Sequence, residues 1–233
     1  MIRIAAFVLG LVAPALALGQ GQLVPLLGAG GKARVATAAG STTTWNPSDK
    51  FNTTLSGGNL VATVANSGGL AGVRATVPCS GKSYVEITAT TNGTEGFSGP
   101  AIARTTWDIT SENIFSSGTA GIILPVYNSQ INVYGVPQIA FVPVTSSGTI
   151  VGIALDATAQ KVWFRSDFGG LGPWNGTDNM GDPAAGTGSL DISGNAGPYY
   201  IAIGANGETS AVWTAAFSSS GWSYSPPSGF GQC

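Results

Sequence analysis

The clearest periodic pattern in the chain lies between residues 149 and 168, TIVGIALDATAQKVWFRSDF. Apolar and small residues alternate over 150–155, a polar turn follows, and alternation then resumes with Val162 and Phe164 on one side and Trp163 on the other. Period-two alternation broken by a short polar turn predicts a β-hairpin with one buried face. We expect Asp156 to accept backbone N–H groups in that turn.

Short β-prone runs recur along the chain and are separated by turn signals such as Asn92-Gly93 and Asn206-Gly207. The clearest predicted strands are 60–64, 72–76, 83–90, 122–126, 131–134, 139–142, 150–155, 161–164, 199–204 and 211–217. Many short strands at such spacing are typical of an antiparallel sandwich or barrel. The pattern therefore predicts an all-β fold.

The first 44 residues have a different pattern. Residues 4–18 are almost wholly apolar after a single Arg3, Ala15-Leu16-Ala17 fits a small-x-small cleavage site, and 20–44 are rich in Gly and Ala. One interpretation is a secretory signal peptide followed by a linker. The other is an apolar arm that is retained and buried between subunits of an assembly. We expect two parts in either case, the segment 1–44 and a globular domain over 45–233.

Composition narrows the class of protein. Of 233 residues, 43% are hydrophobic and only 9% are charged, and the net charge is −2 at pH 7. An average soluble domain has roughly 25% charged residues, so this chain suits an assembly component or a secreted protein. The basic residues are scattered singly, and we therefore expect neither a nucleic-acid partner nor a membrane-surface patch.

The chemistry available to the chain argues against catalysis. Histidine is absent, which removes the commonest general base and metal ligand, and no nucleophile or phosphate-binding motif occurs. Loop carboxylates such as Asp108 and Glu112 show no pairing pattern. An acidic cluster is formed by Asp167, Asp178, Asn179 and Asp182. It lacks the spacing of a calcium-binding loop, and turn formation explains these residues better. We expect no enzyme activity, no cofactor and no metal.

Aromatic residues in loops are the candidates for binding, because a flat ring beside a polar group can stack on a sugar or hold a peptide. The candidate ligand-binding residues are Trp174, Asn175, Asp178, Trp107 and Tyr134. The two cysteines, Cys79 and Cys233, allow one intramolecular disulfide, a link between chains, or two unpaired thiols.

Several motifs together resemble the SPRY domain family. They are Trp45-Asn46-Pro47, LSGGNL at 55–60, Val73-Arg74-Ala75, SGKSYVEI at 80–87, the hairpin at 151–164 and the tail YSPPSGFG at 224–231. The resemblance implies a concanavalin A-like, antiparallel two-sheet β-sandwich over 45–233, with an extended N-terminal arm. Glu86 and Arg74 would then lie on neighbouring strands and could pair across them.

Residues 173–193 are similar to an insertion in SPRY modules of bacteriophages and prophages. This resemblance implies a virion surface appendage or decoration protein that binds a host-surface glycan or protein. It would be part of an oligomeric assembly and contact other virion proteins through its N-terminal arm. The alternative is a secreted or periplasmic lectin-like binding protein.

Overall fold

The structure is a computed structural model that describes residues 42–64, 69–91, 97–115, 121–123, 130–133, 136–142, 146–176, 180–194, 197–207 and 210–233, with backbone alone at 122–123 and 136–141. Most of the predicted arm, 1–44, therefore lies outside the described residues. Within those residues, no helix is long and apolar enough to cross a membrane. The strands are β1 (Trp45–Phe51), β2 (Thr53–Ser56), β3 (Val61–Val64), β4 (Leu70–Ala75), β5 (Lys82–Thr91), β6 (Phe97–Arg104), β7 (Gly121–Ile123), β8 (Gln130–Val133), β9 (Val136–Phe141), β10 (Ile150–Asp156), β11 (Lys161–Ser166), β12 (Leu190–Asp191), β13 (Tyr199–Asn206), β14 (Ala211–Ala216) and β15 (Gly231–Gln232).

These strands form two antiparallel sheets, so the predicted all-β, two-sheet sandwich is confirmed. The first sheet has the order β1-β4-β13-β6-β7-β8-β9, and the second has the order β12-β11-β10-β5-β14-β3-β2. Strand β15 adds a short parallel pair to β5, with Gly231 opposite Ser83. At Ser83, β10 pairs with one edge of β5. The pairing of β14 with the other edge reaches only from Thr91 to Glu86, so β15 pairs with the stretch of that edge that precedes Glu86.

The main core lies between the sheets and follows the period-two alternation of the strands. On β5, Val85 and Ile87 point into this core, while Tyr84 belongs to a separate apolar cluster on the outer face. The β10–β11 hairpin follows the same rule, because Phe164 packs in the main core and Trp163 on the outer face. In its turn, Asp156 accepts a hydrogen bond from the Ala159 N–H at 2.8 Å, as predicted.

Each sheet is also covered on its outer face. Residues 105–115 follow β6 and pack Trp107 and Ile109 against Ala202 of the first sheet. On the second sheet, the C-terminal tail packs Phe230 and Trp222 beside Tyr84. The central strands are therefore buried on both faces, and any binding surface must be built from the covering segments or from the strand ends.

Strands β1, β2, β6, β12 and β15 are not among the predicted strands. Two of these, β1 and β6, contain proline. Pro47 lies where the pairing of β1 with β4 shifts in register, between Trp45 and Lys50, at the edge of the sheet where proline is tolerated. In β6, Pro100 lies opposite Ile203 of β13, whereas the described pairing with β7 covers only 101–103.

A disulfide joins Cys79 to Cys233 across 154 positions of sequence, which is the intramolecular alternative among those that the sequence left open. Cys79 also pairs with Tyr199 in an isolated bridge, and the Thr43 hydroxyl donates to the Cys233 carbonyl at 3.0 Å. The end of the chain is thus tied to the sandwich by a covalent bond, a hydrogen bond and strand β15.

We expect the Cys79→Ser/Cys233→Ser double variant to lose about 2–5 kcal/mol of unfolding free energy, because the bond closes a long loop in the unfolded chain. Denaturant unfolding under non-reducing conditions measures this loss. Wild-type protein unfolded with a reductant should match the double variant. An unchanged midpoint for the double variant would contradict the expectation.

Candidate functional site

The outer face of the second sheet carries a polar row across its three central strands. Gly152 of β10 lies opposite Glu86 of β5 on one side and opposite Arg165 of β11 on the other. Two strand spacings separate the backbones of these charged residues by about 10 Å. A side chain at Gly152 would meet the Tyr84 hydroxyl at 3.0 Å, so glycine leaves room for the Tyr84 ring to lie close to the backbone of β10.

Glu86 is 2% exposed and its carboxylate holds the C-terminal tail. It accepts hydrogen bonds from the backbone N–H groups of Ser223 at 2.7 Å and Tyr224 at 2.8 Å. The Tyr84 hydroxyl donates to it at 2.9 Å, and burial raises the pKa of Tyr84 above its usual range. Three donors therefore satisfy one buried carboxylate, which makes Glu86 a structural residue.

Arg165 lies at the opposite end of the row and is stacked between aromatic rings. Its guanidinium carbon is 4.4 Å from the centre of the Trp174 ring and 5.7 Å from that of Tyr224. The Tyr224 hydroxyl in turn donates to Asp167 at 2.9 Å, which raises the pKa of Tyr224. The guanidinium plane is thus held by two rings that the fold itself fixes.

Trp174 belongs to a segment that extends the edge of β11. The Gly172 N–H donates to the Ser166 carbonyl at 2.8 Å, and the Asn175 N–H donates to the Phe164 carbonyl at 2.6 Å. Trp174 also forms an isolated bridge with Gly181. This backbone pairing fixes the position of the indole on the rim of the sheet.

Asn175 is buried, at 0% exposed, and its side chain forms hydrogen bonds with backbone groups. Its side-chain oxygen accepts from the Phe164 N–H at 2.8 Å, and its amide nitrogen donates to the Gly188 carbonyl at 2.7 Å. The structure therefore places Asn175 inside the fold, where it joins the Trp174 segment to β11.

Trp107, another predicted site residue, lies away from Trp174. Trp107 is buried on the outer face of the first sheet, where its indole N–H donates to the Glu112 carbonyl at 3.0 Å. Asp178 and Tyr134 lie outside the described residues. The structure therefore brings none of the other described candidates beside the Trp174 ring except the buried Asn175.

Exposed apolar side chains occur on both sides of Trp174 in the sequence. The large hydrophobic residues that are exposed in the described part of the chain are Val77, Phe97, Phe168, Leu171 and Met180. The last three lie on the two stretches that flank Trp174 in sequence. We call Phe168, Leu171, Trp174 and Met180 the Trp174 surface. The sequence signal for it is a cluster of apolar residues within a Gly- and Asp-rich loop, where a core role is not expected.

Carboxylates in the described residues serve local structure. Hydrogen bonds from Thr110 and Ser111 lower the pKa of Asp108 to about 2, so this group is ionised at neutral pH and cannot act as a general acid. Asp182 accepts from the Ala184 and Ala185 N–H groups in a turn. The described residues contain no group of three metal-ligating side chains.

The predicted pair between Glu86 and Arg74 is wrong, because the two residues lie on different sheets. Arg74 of β4 instead forms an ion pair with Asp49, whose carboxylate accepts from Nε at 2.6 Å and from Nη2 at 3.0 Å. Its Nη1 donates to three carbonyls that begin the covering segment: Arg104, Thr105 and Trp107.

Comparison with known proteins identifies the fold. No protein-family model and no curated protein matches the chain. The solved structures that it resembles include the SPRY domain of human HERC1, at 14% identity and a TM-score of 0.56, covering 73% of this chain and 96% of that one. A human SPRY domain has 12% identity and a TM-score of 0.52, covering 71% of this chain and 95% of that one. The TRIM65 PSpry domain has 14% identity and a TM-score of 0.53, covering 75% of this chain and 91% of that one. At these identities the likeness concerns the fold, and the predicted SPRY-type sandwich is confirmed at that level.

Proposed function

We propose that the sandwich is a non-enzymatic module that recognises another protein through the Trp174 surface. The observation that carries this proposal is the concentration of exposed apolar side chains there, since Phe168, Leu171 and Met180 are three of the five in the described residues. Protein interfaces are enriched in aromatic residues, Met and Arg. The Trp174 surface supplies the first two types, and Arg165 supplies the third.

A protein partner is favoured over a glycan by the state of the Trp174 ring. Arg165 lies over the ring at 4.4 Å, so one of the two faces on which a sugar could stack is occupied. The neighbouring amide that could read sugar hydroxyls, Asn175, is buried and used by the backbone. The exposed residues Phe168, Leu171 and Met180, which flank Trp174 in sequence, are apolar, and this suits side chains of a protein more than hydroxyl groups.

Binding by short random peptides displayed on a solid support tests the proposal, with a glycan array probed in parallel. Leu171, at 50% exposed, can be replaced by serine without opening the core. We expect Leu171→Ser and Trp174→Ala each to lower the affinity for the peptides selected by wild type about tenfold or more. Central interface residues contribute about 2 kcal/mol to binding.

Val77→Ser is the matched control, because Val77 is 43% exposed and lies outside the Trp174 surface. It should bind the selected peptides as wild type does. Equal binding by all variants would contradict the assigned surface. Failure of wild type to bind any peptide, or binding to glycans in place of peptides, would contradict the proposal itself.

The setting in which the module works is a further part of the proposal. The resemblance of 173–193 to bacteriophage SPRY modules and the apolar residues 4–18 support a virion surface protein, held by its arm to other virion proteins. A secreted or periplasmic protein is the alternative. Mass spectrometry of purified particles and of culture medium distinguishes them, because a chain that begins near Leu18 and occurs only in the medium contradicts the virion setting.

A further inference from the structure

Arg165 has hydrogen-bonding capacity that the fold does not use. Its Nη2 donates to the Tyr84 hydroxyl at 3.4 Å and to the Ser225 carbonyl at 3.3 Å, both longer than the usual range. Its Nε is buried and hydrogen-bonds to no described group. Among the described residues the guanidinium of Arg165 also forms no ion pair. The ion pair found there, with nitrogen and oxygen within 4.0 Å, joins Arg74 to Asp49.

Two carboxylates belong to the same network, but both are engaged elsewhere. Glu86 accepts from Tyr84, Ser223 and Tyr224. Asp167 accepts from the Ile150 N–H at 2.7 Å and from the Tyr224 hydroxyl. Neither fills the planar fork of the guanidinium, although with Arg165 they leave the cluster at a formal charge of −1.

The formal charge of −1 on this cluster limits which anions can bind to Arg165. Small free anions gain only the electrostatic attraction of one cation, which the two neighbouring carboxylates oppose. Because Nε is buried, a carboxylate that is part of a larger ligand would be held through the two Nη atoms in the bidentate geometry of arginine, and it also gains the apolar contacts beside it. Recognition here therefore requires a carboxylate attached to an apolar neighbour.

The surroundings of Arg165 supply such contacts on two sides. The Trp174 ring centre is 4.4 Å from the guanidinium carbon, and the exposed Leu171 is three residues before Trp174 in sequence. The Tyr224 ring centre is 5.7 Å from the same carbon, and Tyr224 also lines a surface cavity of about 410 Å³ with Ser219, Trp222, Ser223, Ser225 and Pro226. An extended peptide that crosses Arg165 can thus contact apolar groups both before and after it.

We propose that Arg165 binds the carboxylate of an aspartate or glutamate in the protein partner, flanked by apolar residues that contact Trp174 and Tyr224. This inference rests on the proposed recognition function and adds the chemistry of its ligand. The two rings fix the guanidinium plane before the ligand arrives, which reduces the ordering cost of binding.

The test uses full-length protein and pairs of peptides selected by wild type, identical except for Glu→Gln or Asp→Asn at one position. We expect the acidic member of a pair to bind wild type about 30-fold more tightly, as for removal of one partner of a desolvated charge pair. Arg165→Gln should bind both members equally, at the level at which wild type binds the amide peptide. Arg165→Lys keeps the charge without the fork and should recover only part of the preference.

The outcomes separate this inference from the proposed function. Selected peptides that lose binding with Leu171→Ser but show no preference for acid over amide would overturn the role of Arg165 and leave protein recognition intact. An acid preference that persists in Arg165→Gln would overturn it as well. The peptide pairs measured on wild type decide the point even when a variant folds poorly, and free acetate should not compete at concentrations similar to those of the peptide.

Discussion

Replacement of Glu86 by alanine is expected to lower the free energy of unfolding by about 3–5 kcal/mol, because each buried donor left without a partner costs about 1–3 kcal/mol. Three donors lose their acceptor: the N–H groups of Ser223 and Tyr224 and the hydroxyl of Tyr84. The Tyr84 hydroxyl is buried and cannot turn to water, whereas the tail can move away. Denaturant unfolding monitored by fluorescence measures the loss.

The same variant should also release the tail locally. Trp222 contacts Tyr84 edge-to-face at 5.0 Å between ring centres, and this contact depends on the tail remaining in place. Hydrogen exchange of the Ser223 and Tyr224 amides should become fast in Glu86→Ala while the β10–β11 hairpin amides stay protected.

Asp191→Ala is the matched control for Glu86→Ala. Asp191 is an exposed carboxylate that accepts from one described backbone group, the Ser193 N–H at 2.7 Å. Its loss should cost about 1 kcal/mol or less. A Glu86→Ala variant that is no less stable than Asp191→Ala, with tail amides still protected, would refute the structural role of Glu86.

The hairpin was predictable because alternation is a local signal. Val162, Trp163 and Phe164 alternate in the sequence, and the structure places Phe164 and Trp163 on opposite faces. Strand β6 was not predictable in this way, because its sequence FSGPAIAR contains glycine, proline and small alanines whose burial is decided by sheets and loops far away in sequence. Both strands of the hairpin are nevertheless buried on their two faces, so the local pattern predicts the strands correctly but the expectation of one buried face is wrong, because the C-terminal tail that covers the outer face is distant in sequence.

The site was only partly predictable for a related reason. Trp174 could be selected as an aromatic residue in a loop, but the sequence does not show that Asn175 turns inward to bond with β11. Arg165 was not selected, although it lies two residues after Trp163 and therefore on the outer face that Trp163 occupies. Its stacking on Trp174 depends on how residues 172–175 return along β11, which no local pattern encodes.

Replacement of Arg74 by methionine should destabilise the protein by about 2–4 kcal/mol, because it removes one partner of a partly buried ion pair and a donor to partly buried carbonyls. The Arg74 side chain is 11% exposed and pairs with Asp49. It also donates to the carbonyls of Arg104 and Trp107, which begin the segment that covers the first sheet. Methionine fills a similar volume but leaves the carboxylate and these carbonyls without their donor.

Arg74→Lys separates charge from geometry, because lysine keeps the positive charge but lacks the planar fork that bonds Asp49 through two nitrogens. We expect it to recover less than half of the lost stability. Lys50→Met is the control, since Lys50 is an exposed cation that donates to one described carbonyl, that of Thr53 at 2.8 Å, and its loss should change unfolding by less than about 1 kcal/mol. Faster exchange of the Trp107 amide in Arg74→Met than in Lys50→Met would tie the loss to the covering segment. Equal unfolding midpoints for these two variants would show that the first sheet holds its cover without Arg74.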